Sequence, residues 1–305
     1  MQREFYYDSC ARGRIYARIW EPDSAPAGIV QIVHGICEHM GRYEEFSQVL
    51  CDAGYLVVGE DHMGHGHSVE QDGIMGYFHG GWFSAVEDTY RLYEMIKQQY
   101  PDTPYFLFGH SMGSFMARTL LVDRPDMALA GCILCGTCWM PEPVLLAGQK
   151  LCELVCRRKG EQNPSERLQK MVFGTYNLRV EHPRTPYDWT NRSSREVDAY
   201  FADPLCGFTV TAGLMRDMLT GLIYIQQTEN LNKMNPNVPI LFIAGGDDPV
   251  GSYGDGVQQT AEAFKQVGME DVSCRIYPLC RHELLRELNK QEVFQLVLDW
   301  MKEFL

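Results

Sequence analysis

The sequence lacks any apolar run approaching the roughly 18 residues of a spanning helix, so no transmembrane segment is expected. It also lacks positive charge: 27 Lys and Arg against 40 Asp and Glu leave a net charge of −13. Nucleic-acid binding relies on basic patches that displace counterions from phosphates, so no nucleic-acid partner is expected. The charge sum gives no general pull toward anionic lipid either. Met1–Arg14 has no apolar core of signal-peptide length. The 11 cysteines are odd in number and, in an unsecreted chain, read as reduced thiols. A cytoplasmic location is the expectation, and the sequon Asn191-Arg192-Ser193 carries no meaning there. No Walker A loop, dinucleotide fingerprint, internal repeat or low-complexity tract occurs, and His282-Glu283 fails H-E-x-x-H because position 286 is arginine. No cofactor is implied.

What is present is an ordinary globular composition, 45% hydrophobic and 22% charged, over 305 residues, enough for a large core plus an insertion. Short runs that are apolar at nearly every position suit strands covered on both faces of a parallel sheet. They are Gly28–Val33, Tyr55–Gly59, Tyr105–Phe108, Ala130–Leu134 and Val238–Ala244, with a weaker run at Val272–Tyr277. Arg14–Trp20 alternates more and reads as an antiparallel edge. Helical patterns at Tyr43–Ala53, Ser84–Tyr100, Met112–Asp123 and Gln291–Leu305 fall between or after these strands. Alternation of this kind predicts right-handed crossovers and an α/β, doubly wound, mostly parallel sheet. The stretch from Trp139 to Met234 breaks the rhythm with helical segments Pro143–Arg158, Ser165–Phe173 and Ala212–Leu231 and no clear strand. It predicts a mainly helical cap, 139–234, inserted into a core made of 1–138 and 235–305.

Gly109-His110-Ser111-Met112-Gly113 matches G-x-S-x-G between a strand and a helix, the context a nucleophile elbow requires. The flanking glycines admit a strained turn in which larger neighbours would clash. An elbow serine needs a base and then an acid, in the chain order Ser, Asp or Glu, His. Downstream only His182 and His282 are available; His182 lies in the cap with no strand to place it, whereas His282 follows the last strand. The strand at Pro239–Ala244 ends in Asp247-Asp248-Pro249, and Asp248, beside the fixed-φ proline, is the better acid. An oxyanion hole would take one amide from Met112, at the helix N-terminus, and one from Ile36 in the turn after Val33.

His34-Gly35-Ile36-Cys37-Glu38-His39-Met40-Gly41-Arg42-Tyr43, Asp61-His62-Met63-Gly64-His65-Gly66-His67-Ser68 and the elbow together resemble the monoacylglycerol lipase and lysophospholipase family. The resemblance implies an α/β-hydrolase fold and acyl transfer from a small lipid-like ester, monoacylglycerol above all. It also implies that Glu38 and Arg42 touch a glycerol headgroup; an ion pair bracing the oxyanion loop is the other reading of the same two residues. Some members carry a second histidine three positions after the catalytic one, where this chain has Leu285, which weakens the case for glycerol. Lysophospholipase, carboxylesterase and thioesterase activities fit the same residues, and a non-catalytic ligand receptor is the reading from another class.

Other clusters carry plainer readings. Cys132, Cys135 and Cys138 have C-x-x-C spacings without a fourth ligand and read as a buried strand. Cys152 and Cys156 share a helix face. His62, His65 and His67 sit in a glycine-rich turn that the family pattern makes structural rather than a zinc site. The Pro143–Arg158 helix, with Arg157-Arg158-Lys159 at its end, suits a lid that lines an acyl channel or makes transient membrane contact; packing on the core is the plainer account.

Overall fold

The structure is a computed structural model that describes residues 1–69 and 73–305. Eight strands form one sheet: β1 (Gln2–Asp8), β2 (Arg14–Trp20), β3 (Gly28–Val33), β4 (Tyr55–Asp61), β5 (Tyr105–His110), β6 (Gly131–Cys135), β7 (Ile240–Gly245) and β8 (Val272–Tyr277). Their order across the sheet is β1-β2-β4-β3-β5-β6-β7-β8. β1 and β2 run antiparallel, β2 runs antiparallel to β4, and every later pairing is parallel. The helices are α1 (Glu44–Asp52), α2 (Trp82–Gln99), α3 (Met112–Asp123), α4 (Glu142–Lys159), α5 (Glu166–Phe173), α6 (Ser194–Ala202), α7 (Ala212–Tyr224), α8 (Thr228–Leu231), α9 (Asp255–Gln266) and α10 (Lys290–Lys302).

The apolar runs become strands because both faces are covered. Every residue of β3, β4, β5, β6 and β7 is buried. α3 is buried on all sides from Met112 to Val122, which explains its nearly continuous apolar sequence. Two expectations fail at the sheet's first edge. Arg14–Trp20 is antiparallel but lies inside the sheet, and the edge is β1, a strand with no sequence signal because Tyr7 alone of its seven residues is buried. β8 forms the other edge, with Ser273, Cys274 and Arg275 exposed, hence its weak run.

Between β6 and β7 the described residues add no strand to the sheet. α4 to α8 fill that interval, and the expected helix Ala212–Leu231 breaks in two around Ile225–Gln227. α6 and α9 have no counterpart in the sequence expectation; α6 runs for 9 residues and α9 for 12. The inserted helices share the core's apolar interior: Leu145 and Cys152 of α4 and Leu214 and Leu222 of α7 join one cluster with Phe115 and Leu120 of α3. Gly221 of α7 lies so close to Trp82 that a Cβ there would sit 2.2 Å from the indole.

Behind β3 and β4 lies a group of buried histidines. The His34 and His62 rings stack at 3.9 Å, with His65 at 5.4 Å from His34. His62 donates its main-chain N–H to His34 Nε2 (2.9 Å), and His65 Nδ1 bonds the Met63 carbonyl (3.1 Å). Burial, reinforced by His62, lowers His65 from 6.5 to about 4, and burial moves His34 the same way. Unfolded histidine takes up its proton near pH 6.5, whereas folded His65 resists until about pH 4. The stability is therefore full above pH 6.5 and is lost as pH falls from there to about 4. At 1.36 kcal/mol per pKa unit, His65 accounts for about 3 kcal/mol of that loss. Denaturant unfolding at pH 7.5 and at pH 4 is expected to show a fall in wild-type stability that His65→Asn reduces by about that amount. Equal falls in the two proteins would refute the assignment.

Candidate active site

Ser111 sits between β5 and α3 with φ 51° and ψ −121°, a conformation costing a non-glycine residue about 1–3 kcal/mol. It is held there by main-chain bonds: Ser111 N–H donates to the Cys135 carbonyl (2.9 Å), and its own carbonyl accepts from Ser114 N–H (2.9 Å) and Ser114 Oγ (2.6 Å). The glycines around it are set by close approach. A Cβ on Gly109 would lie 2.6 Å from the Gly113 carbonyl oxygen, and one on Gly113 would lie 1.9 Å from the Val33 carbonyl oxygen. Ser111 is nearly enclosed, 8% exposed, on the wall of a cavity of about 1030 Å³. That volume lies at the upper end of the ~300–1,000 Å³ usual for small-ligand sites. Ile36, Phe115, Leu151, Met218, Leu219 and Leu222 give it an apolar lining.

His282, in the loop after β8, lines the same cavity, and its Nδ1 lies 2.8 Å from Asp248 Oδ2. Asp248 is fully buried in the turn after β7, where its Oδ1 accepts the Val250 N–H (2.9 Å). Asp247 is exposed. Since a carboxylate only accepts, His282 places its proton on Nδ1 and leaves Nε2 as the basic nitrogen. His182 is exposed in a loop between α5 and α6 and does not line the cavity. Ile36 lines the cavity beside Gly35, where a Cβ would meet the Ser111 Cβ at 3.1 Å. The Met112 amide is the first of α3, one of the helix's four donors without an intrahelical partner. A buried serine, a carboxylate-oriented imidazole and the free amide at the start of α3 can together carry acyl transfer.

Glu38 and Arg42 prove to be the centre of a buried network. Glu38 Oε1 accepts from Gly35 N–H (2.5 Å) and Tyr43 OH (2.8 Å) and lies 3.1 Å from His110 Nδ1. Arg42 Nε is 3.4 Å from Glu38 Oε2, and Arg42 Nη2 is 2.7 Å from Glu283 Oε1. Burial alone would raise Glu38; its bond and charge contact with His110, together with the Arg42 charge, override that and hold it well below the usual carboxylate range. Glu38 lines the large cavity; Arg42 instead lines a small adjoining one of about 20 Å³. Leu285 faces that small cavity as well.

Two cavity residues, Glu283 and Trp189, were given no site role by the sequence. Glu283 lines the cavity next to Glu38, and Trp189 lies with its ring 5.2 Å from that of His282. Trp189 belongs to a segment bound tightly to the His282 loop: Arg281 donates to the Asp188 (2.7 Å) and Asn191 (2.9 Å) carbonyls, Glu283 N–H to Thr190 O (2.8 Å), and Arg192 Nε to Glu287 Oε2 (2.8 Å). The H-E dipeptide at 282–283 was the available signal, but only as a failed metal motif.

The cysteine and histidine clusters find separate partners. His67 Nδ1 bonds Asp61 Oδ2 (3.0 Å) and His62 Nε2 bonds the His34 carbonyl (3.1 Å). Cys132 and Cys135 are buried within β6. Among the described residues one group, His39, Asp203 and Cys206, brings its donor atoms within 4.8 Å of one another. There Gly41 N–H donates to His39 Nδ1 (3.2 Å), so the proton sits on Nε2 and points to Asp203 Oδ2 (2.9 Å). A metal would need the lone pair that this proton occupies.

Strand order, the serine at a strand-to-helix turn and the Asp–His pair beyond β7 and β8 define an α/β-hydrolase. A family model described as serine aminopeptidase, S33, matches residues 24–289, and the chain belongs to that family. Human monoglyceride lipase is 28% identical over 95% of this chain and 87% of its own length. The monoacylglycerol lipase of Mycolicibacterium smegmatis is 28% identical over 94% and 92%. A thermostable carboxyl esterase from Bacillus coagulans, solved in complex with glycerol, superposes with a TM-score of 0.93 at 31% identity, covering 99% of this chain and 98% of that one. The resemblance to monoacylglycerol lipases is borne out, and the chain is an ester hydrolase.

Proposed function

We propose that the chain hydrolyses monoacylglycerol to glycerol and fatty acid through an acyl-enzyme on Ser111. The observation that carries this reading is the 2.8 Å His282–Asp248 contact at the polar end of a large apolar cavity that also holds Ser111. His282 Nε2 takes the Ser111 proton as Oγ attacks the ester carbonyl, while Asp248 stabilises the imidazolium. The Met112 and Ile36 amides receive the oxyanion. His282 then protonates the departing alcohol, and water activated by the same nitrogen releases the acid. The 139–234 segment serves as a cap: α4 and α7 wall the acyl chain in, and exposed Val144, Leu146 and Leu154 suit brief contact with a lipid surface. Eleven unpaired cysteines fit a reducing compartment, the cytoplasm.

Charge favours a neutral head. The Glu38 and Glu283 carboxylates line the polar end; Arg42 is engaged by both of them, and the His110 ring on the same wall by Glu38. A lysophospholipid's phosphate would find Arg42 and His110 already engaged by carboxylates, whereas glycerol hydroxyls can donate to carboxylate oxygens. Arg42 thus acts by bracing Glu38 and the oxyanion loop, and Glu38 faces the head. A fluorophosphonate probe is expected to label Ser111 in the wild type and to lose at least about 100-fold in labelling rate in His282→Ala. Unchanged labelling of that variant would sink the mechanism. kcat/KM should rank monoacylglycerol above lysophosphatidylcholine of the same chain by more than about tenfold; the reverse order would assign a lysophospholipase.

A further inference from the structure

We infer that Arg118 and Gln226 form a clamp that fixes the outgoing stem of the 139–234 segment and its returning stem at the end of α7 to the helix behind Ser111, making Arg118 a positioning residue for long-chain esters. Arg118 stands in the middle of α3 and is fully buried. Among the described residues no carboxylate pairs with it. Its Nη1 donates instead to Thr137 Oγ1 (3.3 Å) and the Cys138 carbonyl (2.9 Å), and its Nη2 to the Ile225 carbonyl (3.3 Å). Cys138 is where the chain leaves β6 for the insertion, and Ile225 is the C-cap of α7, from which the chain runs through α8 back to β7. One guanidinium therefore bridges the outgoing and the returning stem. Burial lowers Arg118 only to about 10, so it remains a cation at neutral pH. The bond to the Ile225 carbonyl also sets the guanidinium at the negative end of the α7 dipole.

A second, independent link closes one residue further out. Gln226 Oε1 accepts the Met140 N–H (2.9 Å), and Gln226 Nε2 donates to the Met140 carbonyl (2.7 Å). This reciprocal pair ties stem to stem. The next residue of α3, Thr119, accepts Trp82 Nε1–H (3.1 Å), and Trp82 packs against Gly221 of α7. The clamp lies directly beneath the cavity wall. Phe115, one turn before Arg118, lines the cavity, as do Met218, Leu219 and Leu222 of α7 and Leu151 of α4. A long acyl chain filling the cavity would lie along those walls, whereas an acetyl group would use only the end at Ser111. Loosening the stems should therefore weaken binding of long chains and leave short esters alone. A bidentate planar donor suits this better than lysine, whose ammonium is a single point charge.

This inference rests on ester hydrolysis at Ser111, so its test includes a readout that needs no turnover. In Arg118→Met, backbone amide exchange at residues 139–145 and 225–228 is expected to rise at least tenfold. KM for a palmitoyl ester should rise about tenfold with kcat nearly unchanged, while kcat/KM for an acetyl ester stays within twofold. Arg118→Lys should recover part of the palmitoyl KM. Gln226→Ala, altering a half-buried side chain, should give the same selective pattern and decides the matter if Arg118→Met does not fold. Equal losses on acetyl and palmitoyl esters, or unaltered exchange at the stems in the folded variants, would overturn the clamp. Loss of both activities in the wild type, with stem exchange responding as expected, would count against the Ser111 mechanism instead.

Discussion

Replacing Ser111 with alanine is expected to lower kcat by about 10⁶-fold while leaving the melting temperature close to that of the wild type. The change removes one oxygen. The main-chain bonds that hold the elbow, to Cys135 and from Ser114, use the Ser111 amide and carbonyl and survive in the variant. His282→Ala should fall about as far, since nucleophile and base act as a unit. Asp248→Asn should fall less, by about 10⁴-fold: an asparagine NH2 facing Nδ1 donates to it and favours the tautomer with the proton on Nε2, where the base must be free. Asparagine can retain the bond from Val250 N–H (2.9 Å) through its amide oxygen, so the turn after β7 should stay in place. Burst kinetics with a nitrophenyl ester and a melting curve for each variant make the comparison. A variant order with Asp248→Asn the most damaged, or a Ser111→Ala enzyme retaining a tenth of its turnover, would refute the assigned roles.

The fold was legible wherever burial is two-sided and continuous. β3 to β7 are buried at every position, so their apolar runs could be read directly; β1, with one buried residue, offered nothing to read. Ser111 was legible because its surroundings are local: strand, glycine, helix. The choice of Asp248 over Asp247 rested on one proline, and the structure brings Asp248 to His282 with Asp247 exposed. What escaped depends on contacts distant in the chain. Arg42 meets Glu283 across 241 positions, and Arg118 meets Ile225 across 107. No spacing rule links such pairs. Arg118 stands alone in a nearly continuous apolar helix that is buried on every side, and its partners come from two later segments. Trp189 lies in a single 3-10 turn, Asp188–Thr190, too short to show periodicity, and its neighbours are set by hydrogen bonds to the His282 loop rather than by pattern.

The second large effect concerns Gly113, and it tests whether close approach rather than turn geometry makes the elbow's last glycine necessary. Its φ is not in the left-handed region, so alanine there meets no backbone strain of its own. What it meets is β3. The added Cβ would lie 1.9 Å from the Val33 carbonyl oxygen and 2.5 Å from that of His34. Both are backbone atoms, so no side chain can rotate away; α3 would have to back off the sheet, carrying Met112 and Ser111 with it. Gly113→Ala is expected to lose about 3 kcal/mol or more of stability, at the upper end of overpacking effects. It should also lose most of its esterase activity at temperatures where it remains folded, because the Met112 amide and the His34-Gly35-Ile36 turn would be forced apart. Gly148→Ala in α4 is the contrast. A Cβ there meets only the Leu219 side chain, at 3.2 Å, which can give way. Removing a glycine from a helix interior adds roughly 0.5–1 kcal/mol, so this variant should be as stable as the wild type or more so. Denaturant unfolding of the pair decides the point. Similar stabilities would mean that β3 and α3 can separate at little cost, and that the Gly113 position is kept for another reason.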